Sequence, residues 1–231
     1  KQTGTTSAGL LYTTTSTNEP AFRYGEGILL EGSRTNLAQY GTDPRSWLSQ
    51  GGGTATNYTT TELGVFDKGI YSEIAGATQD SSRRTPVGTL TSGVAYAVSV
   101  WYKPGTSGKA RLFLRQTVSP WNVAGLEGTI GSLTPSMGAG TVTSIAHASM
   151  ANGVIKSTFV VTPNNTQAYV LSVGADSTTN GENIIVLGGQ VEVASFPSSL
   201  IPNTTNASVT RAATSLTRSW NFPSNNFSGQ I

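Results

Sequence analysis

The sequence predicts an all-β protein whose main body is a β-sandwich. Three observations support this: a composition rich in Gly, Ser, Thr and Asn, segments in which apolar residues alternate with a period of two, and turn residues that separate these segments. The segments recur about every dozen residues, which is typical of a sandwich and not of alternating strands and helices.

The composition favours strands and turns throughout. Charged residues make up 11% of the 231 residues, against about 25% in an average soluble protein. Thr favours strands, and Gly and Asn favour turns. Cysteine is absent, which excludes disulfides, thiolate metal sites and a cysteine nucleophile. Because the chain begins with Lys1, we expect a processed product or a piece of a longer polypeptide.

The clearest strand covers residues 94–102, and the Pro104-Gly105 pair ends it. Its alternation predicts two faces: one carries Val94, Tyr96, Val98, Val100 and Tyr102, and the other carries Ala95, Ala97, Ser99 and Trp101. In the next strand, residues 109–116, Leu112 and Leu114 share one face, and Arg111, Phe113 and Arg115 share the other. Four further strands are predicted at 141–147, 153–162, 167–173 and 184–193.

The two ends differ from the middle and suggest three regions. Residues 1–19 are predicted to be an N-terminal arm or edge strand, residues 20–218 the sandwich, and residues 219–231 an aromatic tail. This tail carries Trp220, Phe222 and Phe227 among polar residues, and such rings need a surface to cover them.

Two segments resemble a pattern found in phage tail-fibre, tailspike and other virion appendage proteins. The first is residues 27–37, GILLEGSRTNL, and the second is residues 188–202, GGQVEVASFPSSLIP, followed by VTRAA at 209–213. The strands between them follow the pattern of the jelly-roll fold of family-4-like carbohydrate-binding modules. Ser198 to Leu200 depart from the Thr-Ser-Tyr that is usual in the second motif.

The resemblance implies an adhesive or structural virion protein, located in the virion or outside the cell, that works as a homotrimer with other virion subunits. It does not imply an active site. Within the motifs, we expect Arg34 and Arg211 to form a structural clasp with Glu31 and Glu192, because an Arg on a short loop commonly braces a carboxylate. A ligand role for these arginines is the alternative.

A carbohydrate-binding face is predicted from the outward residues of two strands. If strands 94–102 and 109–116 are neighbours, then Trp101, Arg111, Phe113 and Arg115 share one face, to which Gln190 adds a polar group. Sugars stack on aromatic rings, and guanidinium and amide groups bond their hydroxyls. The alternative is that a loop, the arm or another subunit covers this face. Trp47 and Trp121 lie in loop-like segments, as rim or core-capping aromatics.

The remaining signals give little support for nucleic-acid binding, membrane insertion or metal binding. A net charge of +2 with scattered basic residues is too thin for a nucleic-acid surface, and the apolar run at 28–30 is too short for a membrane span. No cofactor is predicted. Asp176, Asn180 and Glu182 are a candidate calcium site, because hard cations take oxygen ligands; turn formation without an ion is the favoured alternative.

The sequence also favours a protein that is not an enzyme. The sequence contains one histidine, His147, and no Gly-x-Ser-x-Gly motif, which a serine hydrolase of the α/β type would carry. Glu127 near Trp121 is a candidate glycosidase acid without an evident second acid. Three functions are therefore weighed. The first is attachment to bacterial surface glycan, the second is a purely structural or decoration domain, and the third is a polysaccharide depolymerase.

Overall fold

The computed structural model describes the backbone of residues 21–23 and 27–29, and residues 31–51, 55–75 and 82–213 in full. The predicted arm at 1–19, the aromatic tail at 219–231 and the boundaries at 20 and 218 lie outside these residues.

In the described part the chain forms sixteen strands and two short 3-10 turns, the turns at Pro44–Ser46 and Ala151–Gly153. The first eight strands are β1 (Ala21–Arg23), β2 (Gly27–Leu29), β3 (Arg34–Asn36), β4 (Leu48–Gln50), β5 (Ala55–Asn57), β6 (Ile70–Glu73), β7 (Ser82–Leu90) and β8 (Tyr96–Pro104). The second eight are β9 (Lys109–Gln116), β10 (Val123–Thr129), β11 (Thr134–Met137), β12 (Gly140–Ser149), β13 (Ile155–Pro163), β14 (Gln167–Ala175), β15 (Asn183–Val193) and β16 (Val209–Arg211).

Twelve of these strands form two antiparallel sheets of six. Sheet I has the order β11-β10-β9-β14-β7-β4, and sheet II has the order β12-β13-β8-β15-β6-β5. The other four strands pair as two short ribbons, β1 with β2 and β3 with β16. The six strands predicted from the sequence are all present, as β8, β9, β12, β13, β14 and β15.

The chain moves between the sheets in the order of a jelly roll. From β6 in sheet II it passes to β7 in sheet I, returns to β8, and then forms the hairpin β9–β10 in sheet I. Later it passes from β13 in sheet II to β14 and back to β15. The central strands are therefore β10-β9-β14-β7 and β13-β8-β15-β6, which form two interlocked Greek keys. The predicted all-β jelly-roll sandwich is confirmed.

The core lies between the two sheets and is built by the alternation that the sequence predicts. Sheet I contributes its inward residues, and sheet II contributes the aromatic and β-branched face of β8 with those of β13 and β15. Because both inner faces are apolar, packing them together removes them from water, at about 25 cal/mol for each Å². Fully buried members include Val98, Val100, Tyr102, Leu112, Leu114, Phe159, Leu171, Val173, Val186 and Val191.

Candidate functional site

Trp101 and Phe113 do not share a face, because β8 and β9 lie in different sheets. The link at residues 105–108 carries the chain from sheet II to sheet I, so consecutive strands with a short connection are not a hairpin here. β8 pairs with β13 and β15, whereas β9 pairs with β10 and β14. The predicted single face with Trp101, Arg111, Phe113 and Arg115 is therefore wrong.

Trp101 faces outward from sheet II but is fully buried under a second layer of chain. Its ring lies 5.5 Å from that of Phe66, and Leu63, Leu187 and Leu200 belong to the same apolar cluster. Covered in this way, Trp101 cannot present its ring to a ligand in solution. The expectation of a sugar contact at Trp101 is not supported, and the alternative of a covered face applies.

Gln190 is also fully buried beneath a short segment, residues 198–203, which we call the strap. Its Nε2 donates to the Ser199 carbonyl at 3.1 Å, and its Oε1 accepts from the Ile201 N–H at 2.6 Å. Because both ends of the amide are occupied by the strap, Gln190 holds the strap to sheet II. The predicted contact of Gln190 with carbohydrate is wrong.

The three other predicted residues lie together on the outward face of sheet I. Arg111, Phe113 and Arg115 line a groove of about 340 Å³, with Trp121, Glu127 and small residues of β14. We call this the outer groove, and its lining residues are Ser82, Arg111, Phe113, Arg115, Trp121, Val123, Glu127, Ser136, Ser172, Gly174 and Ala175. Arg111, Phe113 and Arg115 share this face because side chains alternate along β9, so that Leu112 and Leu114 between them point inward.

Small residues on both sides of Phe113 keep the groove open. Gly125 of β10 lies opposite Phe113 on one side, and Ser172 of β14 lies opposite it on the other. A Cβ on Gly125 would lie 2.1 Å from the Leu112 carbonyl oxygen, so only glycine allows β10 to approach β9 this closely. Phe113 forms the floor of the groove with only 7% of its surface exposed.

Trp121 is the exposed aromatic ring of the site. It stands at the rim with half of its surface exposed, in the turn that joins β9 to β10. Its backbone N–H donates to the Val118 carbonyl at 2.9 Å. Its φ is +60°, a backbone conformation that is energetically unfavourable for a bulky residue. The Arg115 guanidinium carbon lies 5.9 Å from the ring centroid. The sequence showed Trp121 as a loop aromatic near Arg115, but not that the turn returns it to the same face.

Arg111 joins two carboxylates at one end of the groove. Its Nε lies 3.0 Å from Asp176 Oδ1, and its Nη2 lies 3.5 Å from Glu127 Oε2. The guanidinium carbon is 5.7 Å from the Phe113 ring centroid. The two ion pairs therefore hold a planar donor group beside the floor of the groove.

A second cluster of polar residues lies on sheet II and was missed in the sequence. Glu62 is almost fully buried and accepts from Lys103 Nζ at 2.6 Å and from the Tyr58 hydroxyl at 2.5 Å. Burial alone would raise the pKa of Glu62, but hydrogen bonds from Lys103, Tyr58 and Asn152 and the charge of Lys103 hold it below its ordinary value. These contacts fasten the segment that carries Leu63 and Phe66, which covers Trp101. No local pattern marks them, because Glu62 and Lys103 are far apart in sequence.

The predicted clasp forms with partly different partners. Arg211 Nη1 lies 2.9 Å from Glu31 Oε2, and Ser199 hydrogen-bonds to both residues. Glu192 instead accepts from Gln190 and from the Ser198 N–H of the strap. The predicted Arg–carboxylate pairing of Glu192 is therefore wrong among the described contacts.

Arg34 also differs from its predicted role in the clasp. Its guanidinium carbon lies 4.9 Å from the ring centroid of exposed Phe196, and its Nη1 donates to the Val193 carbonyl at 3.4 Å. Among residues 31–37 of this motif, Asn36 is fully buried, and it accepts from the Val191 N–H and donates to the Ile201 carbonyl. The two motifs of the sequence thus meet at β3, the strap and β16.

Two further candidates from the sequence lie in settings without evident chemistry. Asp176 of the calcium candidate is paired with Arg111, and in residues 31–51, 55–75 and 82–213 no group of three acidic or histidine side chains could hold a metal ion there or elsewhere. Asn180 and Glu182 follow in the same loop. His147 Nδ1 lies 2.9 Å from the Ser157 hydroxyl, but Ser157 is fully buried and out of reach of a substrate.

Comparisons with known proteins add little beyond these observations. No protein-family model and no curated protein matches the sequence. A solved structure described as "CBM4 structure and function" matches with 16% identity and a TM-score of 0.27, and the match covers 64% of this chain and 94% of that chain. Within the described residues, no helix has the length and apolar character needed to cross a membrane. The fold assignment rests on the strand order given above.

Proposed function

We propose that the protein is a non-catalytic module that binds glycan in the outer groove. Trp121 offers a half-exposed ring, and Arg115, Glu127 and Ser172 line the same groove. A sugar packs its C–H face on an aromatic ring, while charged and hydroxyl groups bond its hydroxyls. The observation that carries the proposal is this grouping of one exposed ring with several polar side chains around a single groove.

The arrangement of the acids favours binding over hydrolysis. A glycosidase uses two carboxylates that flank the scissile bond, one of which donates or accepts a proton. Glu127 and Asp176 are the acids nearest the groove, and both contact the same guanidinium of Arg111. One oxygen of each acid is paired with Arg111, so the two acids share one cation on the same side of the groove instead of flanking a bond to be cleaved.

The proposed setting is a phage virion appendage that attaches to carbohydrate on a bacterial surface. The support comes from the two sequence motifs at residues 27–37 and 188–213, which resemble those of such appendages. A single shallow groove binds weakly, and a homotrimer presents three copies, so that effective concentration raises the avidity.

The test is glycan binding by the purified protein and by a variant without the exposed ring. The panel contains bacterial capsule and O-antigen polysaccharides, ladders of β-1,4-linked glucose and of β-1,4-linked N-acetylglucosamine, and a ladder of α-1,4-linked galacturonic acid. Trp121→Gly removes the ring at a residue with φ of +60°, where glycine fits without strain. We expect affinity to fall about tenfold or more, equivalent to about 1.4 kcal/mol. Phe196→Ala, which removes an exposed ring outside the groove, should leave affinity unchanged.

Each alternative function has a distinct outcome in the same experiment. Absence of binding across the panel contradicts the proposal and favours a purely structural or decoration domain. Shortened polysaccharide with new reducing ends contradicts the non-catalytic role and favours a depolymerase. Sedimentation equilibrium measures the assembly, and a monomer at micromolar concentration contradicts the homotrimer.

A further inference from the structure

A polar cleft of about 600 Å³ lies beside the outer groove. Its lining is rich in hydroxyl groups and has no aromatic ring among its described residues. Its lining includes Lys109, Thr129, Asp176 and Thr178, together with Ser107 and Glu182. The groove and the cleft therefore differ in chemistry, one with an exposed ring and the other with hydroxyls.

The same three segments of chain line both the groove and the cleft. Along β9 the lining passes from Arg111 in the groove to Lys109 in the cleft, and along β10 it passes from Glu127 to Thr129. The register places Glu127 opposite Arg111 and Thr129 opposite Lys109. Two residues along a strand span about 6.6–6.8 Å. The cleft is thus the next row of the same outward surface.

The third segment completes this junction. β14 ends at Ala175 in the groove, and the next residue, Asp176, lines the cleft. The Asp176 N–H donates to the Lys109 carbonyl at 3.2 Å, and its carboxylate pairs with Arg111. The loop that begins at Asp176 is therefore fastened to β9 where the groove meets the cleft.

We infer that groove and cleft together form one extended site for a linear oligosaccharide that lies along β9. This inference deepens the proposed glycan binding and rests on it. The ring of Trp121 holds one end of the ligand, and the hydroxyls of Thr129 and Thr178 bond the other end. From Arg115 to Lys109 the site spans about 20 Å of strand, which is long enough for several sugar units in sequence. An internal stretch of a polysaccharide fits this site better than a single terminal sugar.

The experiment measures affinity against ligand length for the native protein and for a variant in the cleft. The probe is the ladder of two to eight units of whichever sugar in the panel binds the protein. We expect affinity to rise with each added unit until the ligand fills both parts of the site. The double variant Thr129→Val with Thr178→Val should bind the longest oligomers about threefold to tenfold more weakly, because it loses two hydroxyl contacts. It should bind the shortest oligomers as the native protein does.

The control and the outcomes separate this inference from the function on which it rests. Thr89→Val with Thr143→Val, two exposed threonines away from groove and cleft, should change nothing at any length. Affinity that stops rising at the shortest bound oligomer overturns the extended site but leaves glycan binding in place. An equal loss for short and long oligomers in the cleft variant also overturns it. No binding to any ladder or polysaccharide contradicts glycan binding itself.

Discussion

Glu62 shows how a single buried charge is stabilised by its neighbours. Its carboxylate is almost fully removed from water, a setting that disfavours the charged form. Lys103 and Tyr58 donate to it, and the pKa of Lys103 is raised although burial acts to lower it, because Glu62 and Tyr58 bond to the ammonium group. Each partner therefore stabilises the charged form of the other.

The paired pKa shifts predict how Glu62→Gln changes stability with pH. The folded pKa of Glu62 lies below its ordinary value of 4.5, so its stabilising effect is complete above that pH and is lost as pH falls through the folded pKa. Lys103 has a folded pKa above 10.5, so its effect is complete below that pH and is lost at higher pH. Glu62→Gln should lower the free energy of unfolding by about 1–3 kcal/mol at pH 7. Urea unfolding should show this difference shrinking below pH 4.5. A difference that stays constant from neutral to strongly acidic pH would refute the ion-pair account.

Two tryptophans show what could be predicted at the scale of single residues. Local alternation correctly assigned Trp101 to the outward face of its strand, but its burial depends on Phe66 and Leu200, which arrive from distant parts of the chain. For Trp121, by contrast, the sequence did not predict a face, because alternation does not apply to a residue in a loop. The positive φ that turns its ring toward the groove follows from the turn as a whole. The burial of Trp101 and the orientation of Trp121 therefore could not be predicted from the local sequence pattern.

At the scale of elements, the approach of β10 to β9 depends on one missing side chain. In Gly125→Ala the new Cβ would lie 2.1 Å from the Leu112 carbonyl oxygen and 2.8 Å from the Phe113 Cα. Both atoms belong to backbone and cannot turn away, so β10 must shift. We expect the free energy of unfolding to fall by about 2–3 kcal/mol, measured by urea unfolding.

The same shift in β10 should also weaken glycan binding, because Glu127 lies on the displaced strand and Trp121 lies in the turn that precedes it. The control is Gly32→Ala, whose Cβ would meet no atom within 4 Å. This variant should change stability by less than about 0.5 kcal/mol. Gly125→Ala with native stability would mean that the close packing of β10 on β9 is not required.

Strand faces were predictable from the sequence, whereas strand partners were not. Alternation along β8 and β9 depends only on neighbouring residues, and the aliphatic sets matched the core. Pairing depends on the direction of the connections. The link at residues 105–108 is short enough for a hairpin, yet four residues also suffice to cross the roughly 10 Å between packed sheets. Because both outcomes suit a short link, the sequence does not determine whether β8 and β9 pair with each other or lie in different sheets.

At the scale of the whole molecule, the clasp joins the segment before β3 to the last described strand, β16. Glu31 and Arg211 are each about one-fifth exposed on their side chains, so their ion pair is only partly screened by solvent. Arg211→Ala should lower the free energy of unfolding by roughly 1 kcal/mol. Amide hydrogen exchange should become faster in β3, while β8 and β9 keep their protection.

Arg211→Lys provides the matched comparison for this prediction. The lysine keeps the charge, but its ammonium lies one bond closer to the backbone than the Arg211 Nη1 that contacts both Glu31 and Ser199, so its effect should be intermediate. Glycan affinity should be unchanged in both variants, because the outer groove lies on sheet I. Faster exchange throughout both sheets would show that the clasp stabilises the whole sandwich and not its ends.

The antiparallel pairing of β3 with β16 also determines how this fold responds to a pulling force. Arg34, the first residue of β3, pairs with Arg211, the last residue of β16. Tension applied through the two ends therefore acts across the ribbon at one position, and it opens the hydrogen bonds one after another, as a zipper opens, instead of loading them together. We expect the Glu31–Arg211 pair and the ribbon to separate at a lower force than the sandwich, which would then bear the load.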